Sequence, residues 1–306
     1  NFTTKNIIDI LGYSSSDIDI LPLPLYHSFG LGCVYTSLTV GSTIILHKDA
    51  SNLENLLNSI KKYNATTFAA IPTTLTKFLK SKNLDLINYF SNIRLIITNS
   101  MSIPKTTVQD YKKILENGNL ATYYGLTEAS RSTFMIFQKN SSRDESVGKS
   151  APGVSIKIDS DEICIKGKNV ISKYWKNEIA DKNIIGGWLR TGDTGFLDDE
   201  NYLFLKGRKD DIINIGGEKV LPFEIEEVIK QIPEIIDVAA FGIKNEIFGQ
   251  VIKLHIVKSK ESNIDKSKIL IHCMKNLEKF KIPNKIDFVE EIPKTSYGKV
   301  KRFMLK

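Results

Sequence analysis

Gly187-Trp188-Leu189-Arg190-Thr191-Gly192-Asp193, then Thr194 to Lys206, then Gly207-Arg208-Lys209-Asp210-Asp211-Ile212-Ile213-Asn214-Ile215-Gly216-Gly217-Glu218-Lys219 is the stretch from which the fold is read. Residues 194–197 and 202–206 read as short apolar strands around Asp198-Asp199-Glu200-Asn201, a cluster of turn formers, and together they predict a β-hairpin. The ends of a hairpin meet. Asp193 and Arg208 are equidistant from the turn centre and are therefore expected side by side where the ladder opens. A carboxylate accepts from two vicinal hydroxyls at once, and a guanidinium donates in a fixed fork, so the pair suits a ribose diol. Read alone, it is more simply an exposed salt bridge worth at most about 1 kcal/mol.

Upstream of that stretch, strands alternate with helices. Asp17–Leu21, Thr43–Leu46, Thr66–Ala70, Ile93–Thr98 and Leu120–Tyr124 read as strands. Between the second and third, Leu53, Leu56, Leu57 and Ile60 share one helical face, with Ser51 or Asn52 as N-cap. Pro104–Asn117 is a further helix with proline in its first turn. The spacing predicts a mostly parallel sheet covered by helices, an α/β fold whose ligands sit beyond the carboxyl ends of the strands. The prolines and glycine of Pro22-Leu23-Pro24-Leu25-Tyr26-His27-Ser28-Phe29-Gly30 predict a loop after the first strand. The loop after the fifth reads Tyr124-Gly125-Leu126-Thr127-Glu128. Its glycine permits close backbone approach to a ligand, its threonine can bond a phosphate oxygen, and its carboxylate can hold Mg2+. An isolated Gly-x-Thr-Glu is otherwise an ordinary surface turn. Gly148-Lys149-Ser150 ends like a phosphate-binding Walker loop, but position 143 is Arg rather than Gly, so that motif fails.

Downstream, Pro222-Phe223-Glu224 opens a helix with Ile225, Val228, Ile229 and Ile232 as its apolar stripe. Strands near 237–241 and 251–257, a helix with Leu270, Cys273, Met274 and Leu277 on one face, and a strand at 285–289 complete a small α+β domain. The closing Pro293-Lys294-Thr295-Ser296-Tyr297-Gly298-Lys299-Val300-Lys301-Arg302 is basic, which by itself describes a solvated tail.

With 306 residues the chain accommodates two domains, and its 42% hydrophobic and 25% charged residues are those of an ordinary globular protein. The net charge of +7 is spread as Lys interleaved with Asp and Glu, which argues against a nucleic-acid partner. No run approaches the length of a membrane span. Cys33, Cys164 and Cys273 are too few and too scattered for a disulfide framework or zinc site, and read as reduced thiols of a cytoplasmic protein.

Thr191-Gly192-Asp193, the hairpin, Gly207-Arg208-Lys209-Asp210 and Gly216-Gly217-Glu218-Lys219, in this order, closely resemble the adenylate-forming superfamily: acyl- and aryl-CoA synthetases, peptide-synthetase adenylation domains and firefly luciferase. Tyr124-Gly125-Leu126-Thr127-Glu128 resembles its Tyr-Gly-x-Thr-Glu, and the segment from Pro293 to Lys299 resembles its closing Pro-Lys-Thr-x-x-Gly-Lys. The resemblance implies that residues 1–209 are the later part of a large adenylation domain, with helix-covered sheets and a β-rich segment, and that 210–306 form a small mobile lid. It implies that Tyr124, Gly125 and Thr127 meet the nucleotide, that Glu128 is the magnesium ligand, and that Asp193 and Arg208 hold the ribose. Lys299 becomes the catalytic cation, Asp210 the hinge, Gly216 and Gly217 the edge offered to a thiol, and His27 a lining residue of the carboxylate pocket. The implied reaction uses ATP and Mg2+ to convert a carboxylic acid into acyl-AMP. The acyl group then passes to coenzyme A or to the phosphopantetheine of an acyl carrier protein.

Amino-acid-activating relatives carry an aspartate near His27 to pair with the amine. Tyr26-His27-Ser28-Phe29-Gly30 has none, which favours an acyl or aryl acid, as in fatty acid metabolism. Two departures stand out. Thr98-Asn99-Ser100-Met101 replaces the family's glycine-rich adenine loop, and Lys173 replaces the glycine of its Gly-Tyr-Trp. The family's Ser/Thr/Gly-rich phosphate loop does not occur between Asn1 and Lys306, and with no Met at the start it is expected upstream, in a longer protein. The alternative reading is a catalytically impaired carboxylate-binding fragment of this fold.

Overall fold

Ile18-Asp19-Ile20-Leu21 forms the first strand of a seven-stranded sheet whose central strands are almost wholly buried, as apolar runs covered on both faces must be. The computed structural model describes residues 2–81, 84–99, 103–140, 142–176, 182–259, 261–295 and 300–305. Its contacts divide the chain into two units. One comprises Asn1–Thr191 with Gly195–Leu205, the other Gly192–Thr194 with Lys206–Lys306.

The first unit runs α1 (Phe2–Leu11), β1 (Ile18–Leu21), α2 (Ser28–Val40), β2 (Thr43–Leu46), α3 (Leu53–Lys62), β3 (Thr67–Ala69), α4 (Pro72–Lys80), α5 (Leu86–Tyr89), β4 (Leu95–Thr98), α6 (Lys105–Ile114), β5 (Asn119–Tyr124), β6 (Thr133–Ile136) and β7 (Lys149–Ser150). Strands β1 to β5 are parallel, β6 and β7 are antiparallel additions, and the order is β2-β1-β3-β4-β5-β6-β7. This is the expected α/β arrangement. Asn52 Oδ1 accepts from Asn55 N at 2.9 Å and caps α3, which buries Leu56, Leu57 and Ile60, each stabilising by roughly 2 kcal/mol.

Two boundaries differ from expectation. The loop expected through Gly30 ends at His27, because its ring Nδ1 accepts from Phe29 N at 3.2 Å and starts α2 there. Pro104 is the N-cap of α6 rather than a residue of its first turn, and the helix stops at Ile114, where Leu115 leaves helical geometry.

A β-rich segment follows: β8 (Val154–Asp159), β9 (Glu162–Gly167), β10 (Ile184–Ile185), β11 (Trp188–Leu197) and β12 (Leu203–Arg208), ordered β10-β11-β9-β8 with β12 on β11. The predicted hairpin is present and longer than expected. Asp198 Oδ1 takes the backbone N–H groups of Glu200 (3.0 Å) and Tyr202 (2.8 Å), and Asn201 adopts φ +65°, so this tetrapeptide builds its own turn.

The second unit contains β13 (Ile213–Ile215), β14 (Glu218–Val220), α7 (Pro222–Ile229), β15 (Ile235–Asn245), β16 (Gly249–Lys258), α8 (Lys266–Asn276) and β17 (Lys285–Phe288). Its sheet runs β14-β13-β16-β15 with β17 on β16, and Ile225, Ile229, Ile269 and Cys273 pack with Val238, Ile252 and Leu254. Of the stripe expected on α8, Cys273 is buried and Leu270 and Leu277 pack against the core, joined by Ile269, while Met274 is 61% exposed. Arg302 closes the unit, reaching Glu226 at 2.5 Å and the Ala240 carbonyl at 3.2 Å. Among the described residues the three cysteines are buried and free, and no helix is long and apolar enough to cross a membrane.

Candidate active site

Five parallel strands point their carboxyl ends to one edge of the sheet, and the chain leaves β5 at that edge through buried Tyr124. The next residue must be glycine. A Cβ on Gly125 would lie 2.4 Å from Arg131 N and 2.7 Å from the Ala129 carbonyl oxygen. Within the turn Leu126 N donates to Ala129 O at 3.1 Å and Ala129 N returns to Leu126 O at 3.2 Å, while Ser132 N donates to Tyr124 O at 2.7 Å. Thr127 and Glu128 are therefore held at the tip of a self-bonded turn, Thr127 exposed and Glu128 half-buried. Ile171 N anchors the turn from outside by donating to Glu128 O at 2.9 Å.

His27 follows β1 at the same edge of the sheet. Its Nδ1 accepts the cap hydrogen bond, which puts the proton of the neutral ring on Nε2. Burial, and then the Arg131 cation, hold its pKa below the ordinary histidine range. Neutral imidazole is thus a donor at Nε2 rather than a charge.

Arg131 was not singled out by sequence reasoning. Only its place just after the Tyr124–Glu128 motif marks it, and a lone Arg carries no spacing signal. It adopts φ +54°, lies 4.7 Å over the Tyr123 ring, and sends Nη1 to Ser28 O (3.2 Å) and Ser130 Oγ (3.0 Å) and Nη2 to Phe29 O (3.1 Å).

In the second unit Arg208 Nη1 reaches Asp193 Oδ1 at 3.0 Å, so the two hairpin-end residues are brought together. Asp210 lies in a short 3-10 turn, Lys209–Asp211, immediately after β12. Gly216 and Gly217 make the tight turn between β13 and β14 with φ +59° and +99°, and Gly216 N donates to Phe248 O at 2.9 Å. Left-handed backbone at both positions favours glycine. Lys299 lies outside the described residues; on either side of it Lys294 and Val300 form a β-bridge.

Among the described residues no three His, Cys, Asp or Glu side chains cluster as a metal site. Glu128 fits Mg2+ in another way. A single carboxylate at an exposed turn suits a small hard cation whose remaining ligands are phosphate oxygens and water.

The model of the AMP-binding enzyme family matches residues 2–175, and that of the AMP-binding enzyme C-terminal domain matches residues 224–299. Curated relatives include the 2-succinylbenzoate–CoA ligase of Listeria monocytogenes (31% identical, over 97% of this chain and 62% of that protein). The indoleacetate–CoA ligase of Aromatoleum aromaticum is 29% identical over 97% of this chain and 60% of that protein. Among solved structures, ATP-bound MatB from Rhodopseudomonas palustris superposes with a TM-score of 0.92 at 27% identity, covering 99% of this chain and 62% of that one. The o-succinylbenzoate CoA synthetase of Bacillus subtilis with its acyl-adenylate intermediate gives 0.89 at 28% identity, over 100% and 64%. The chain thus spans less than two thirds of the length of these relatives.

Proposed function

The chain belongs to the AMP-binding enzyme family, and from that premise we propose that it is part of an ATP-dependent acid–thiol ligase acting on an acyl or aryl carboxylic acid. A carboxylate oxygen attacks the α-phosphorus of ATP and pyrophosphate leaves, giving acyl-AMP. A thiol, of coenzyme A or of carrier-protein phosphopantetheine, then attacks the acyl carbonyl, loses its proton and expels AMP.

The observation that carries this reading is the self-bonded Gly125–Ala129 turn at the carboxyl edge of the parallel sheet, which carries Thr127 and Glu128 as consecutive residues at its tip. In the proposal Thr127 donates to a phosphate oxygen, while Tyr124 and Gly125 give the nucleotide a flat, close-approaching wall. Glu128 holds Mg2+, which when bound neutralises phosphate charge. Asp193 accepts from the ribose hydroxyls while Arg208 fixes the carboxylate that does so. His27, neutral and donating through Nε2, lines the carboxylate pocket. Lys299 stabilises the negative charge that builds at the α-phosphate.

We divide the protein at 209/210, with Asp210 as the hinge about which the small domain turns between the half-reactions, withdrawing Lys299 and offering the Gly216–Gly217 edge to the thiol. The test is ATP–pyrophosphate exchange over a panel of carboxylic acids, run on the longer protein that carries the phosphate loop expected upstream of this chain. Exchange stimulated by one acid class is the expected result, and none with any acid would overturn the reading.

A further inference from the structure

Arg131 is only 3% exposed, yet among the described residues no carboxylate is paired with it, and its Nε is buried without a partner. Three features show what it costs the fold to keep it. Arg131 itself sits in left-handed backbone, unfavourable for a side chain of this size. Its charge is desolvated. Helix α2 carries a glycine where its guanidinium lies, since a Cβ on Gly32 would be 2.3 Å from Arg131 Nη2.

The donors of that guanidinium join two separate pieces of chain. Ser28 O and Phe29 O belong to the first turn of α2, the turn that His27 caps; Ser130 Oγ ends the turn that carries Thr127 and Glu128. In the sheet these pieces follow β1 and β5, which stand three strand intervals apart, about 14 Å at ~4.8 Å each. We propose that Arg131 is a positioning residue that clamps the His27 end of α2 to the Tyr124–Ser130 turn, fixing the imidazole relative to Thr127 and Glu128. A planar fork can donate to both pieces at once in a fixed geometry, which lysine cannot. The same cation adds to burial, the larger cause, in opposing a positive charge on His27, whose neutral Nδ1 accepts the α2 cap bond.

The clamp rests on the ligase reading only for its kinetic consequence, and the test separates the two. Arg131→Met, Arg131→Lys and Gly32→Ala, each made in the upstream-extended protein, would be followed by the NMR titration of His27, amide exchange over residues 27–31, and pyrophosphate-exchange kinetics. In Arg131→Met the proton affinity of His27 is expected to rise at least about threefold, exchange over 27–31 to quicken about tenfold, and KM for the acid to rise about tenfold with kcat much less affected. Arg131→Lys keeps the charge, so His27 should titrate nearly as in the parent while exchange quickens. Gly32→Ala displaces the guanidinium and should quicken exchange with Arg131 still present. Unchanged exchange in whichever of these variants fold overturns the clamp, as does an Arg131→Met protein whose His27 titrates like the parent. If the parent activates no acid, the ligase reading fails while titration and exchange still decide the clamp.

Discussion

Arg208 Nη1 donates to Asp193 Oδ1 across 3.0 Å, pairing the two ends of a hairpin whose turn is built by Asp198. With side chains 33% and 16% exposed, the pair is partly screened and contributes at most about 1 kcal/mol to folding. Asp193→Ala is therefore expected to lower Tm by no more than about 4 °C. Its AMP affinity should fall at least about tenfold, the ~1.4 kcal/mol of one lost charge-assisted contact. Calorimetry of binding and of melting on the same variant checks this, and a sharp drop in Tm with unchanged affinity would make Asp193 structural.

Lys299→Ala should slow adenylation by at least about a hundredfold while sparing thioester formation from supplied acyl-AMP, because its charge is needed where charge develops at the α-phosphate. The two half-reactions are assayed separately. Equal losses in both would remove Lys299 from its assigned role.

Gly125→Ala tests the turn. The new methyl would meet backbone at 2.4 and 2.7 Å, atoms that no side-chain rotation can move. A loss of about 2 kcal/mol or more is expected, seen as a lower denaturation midpoint at unchanged m-value, together with loss of nucleotide binding. A variant as stable as its parent would mean that the turn has another available shape.

Asp19 predicts a pH dependence. It is fully buried in β1, where Thr67 Oγ1 (2.8 Å) and Ser37 Oγ (3.4 Å) donate to it, and burial outweighs these bonds and pushes its pKa up to about 7. The folded state then binds a proton that the unfolded state, with the ordinary value of 3.8, releases earlier. The stability this provides is complete below the unfolded value and is lost as pH rises through about 7. Asp19→Asn should accordingly match the parent in Tm near pH 4 and exceed it near pH 8, by up to a few kcal/mol in stability. A Tm difference that is the same at both ends excludes the effect.

The hairpin and the β5 turn were legible because local chemistry determines them. Asp198 and Asn201 make their turn from their own side chains and backbone, and Asn52 caps α3 within four residues. Helix α2 was not legible. Ser28-Phe29-Gly30-Leu31-Gly32-Cys33 has two glycines and no amphipathic stripe, and what starts the helix is an imidazole cap braced by an arginine about a hundred residues away. Arg131 escaped notice for the same reason, since its partners are carbonyl groups, which every residue has. Met274 fell on the right helical period and the wrong side of it, because a four-residue stripe leaves the orientation of α8 to its neighbours.

Strand β11 does not belong to one unit. Its residues Gly192–Thr194 group with the later part of the chain and its flanks with the earlier part. For anyone recombining relatives of this protein, a single crossover at Leu205–Lys206, where contacts suggest a clean seam, would bring Arg208 from one parent and leave Asp193 with the other. The pair can be inherited whole only if the exchange point lies before Asp193 or after Arg208, so the hairpin travels as one cassette.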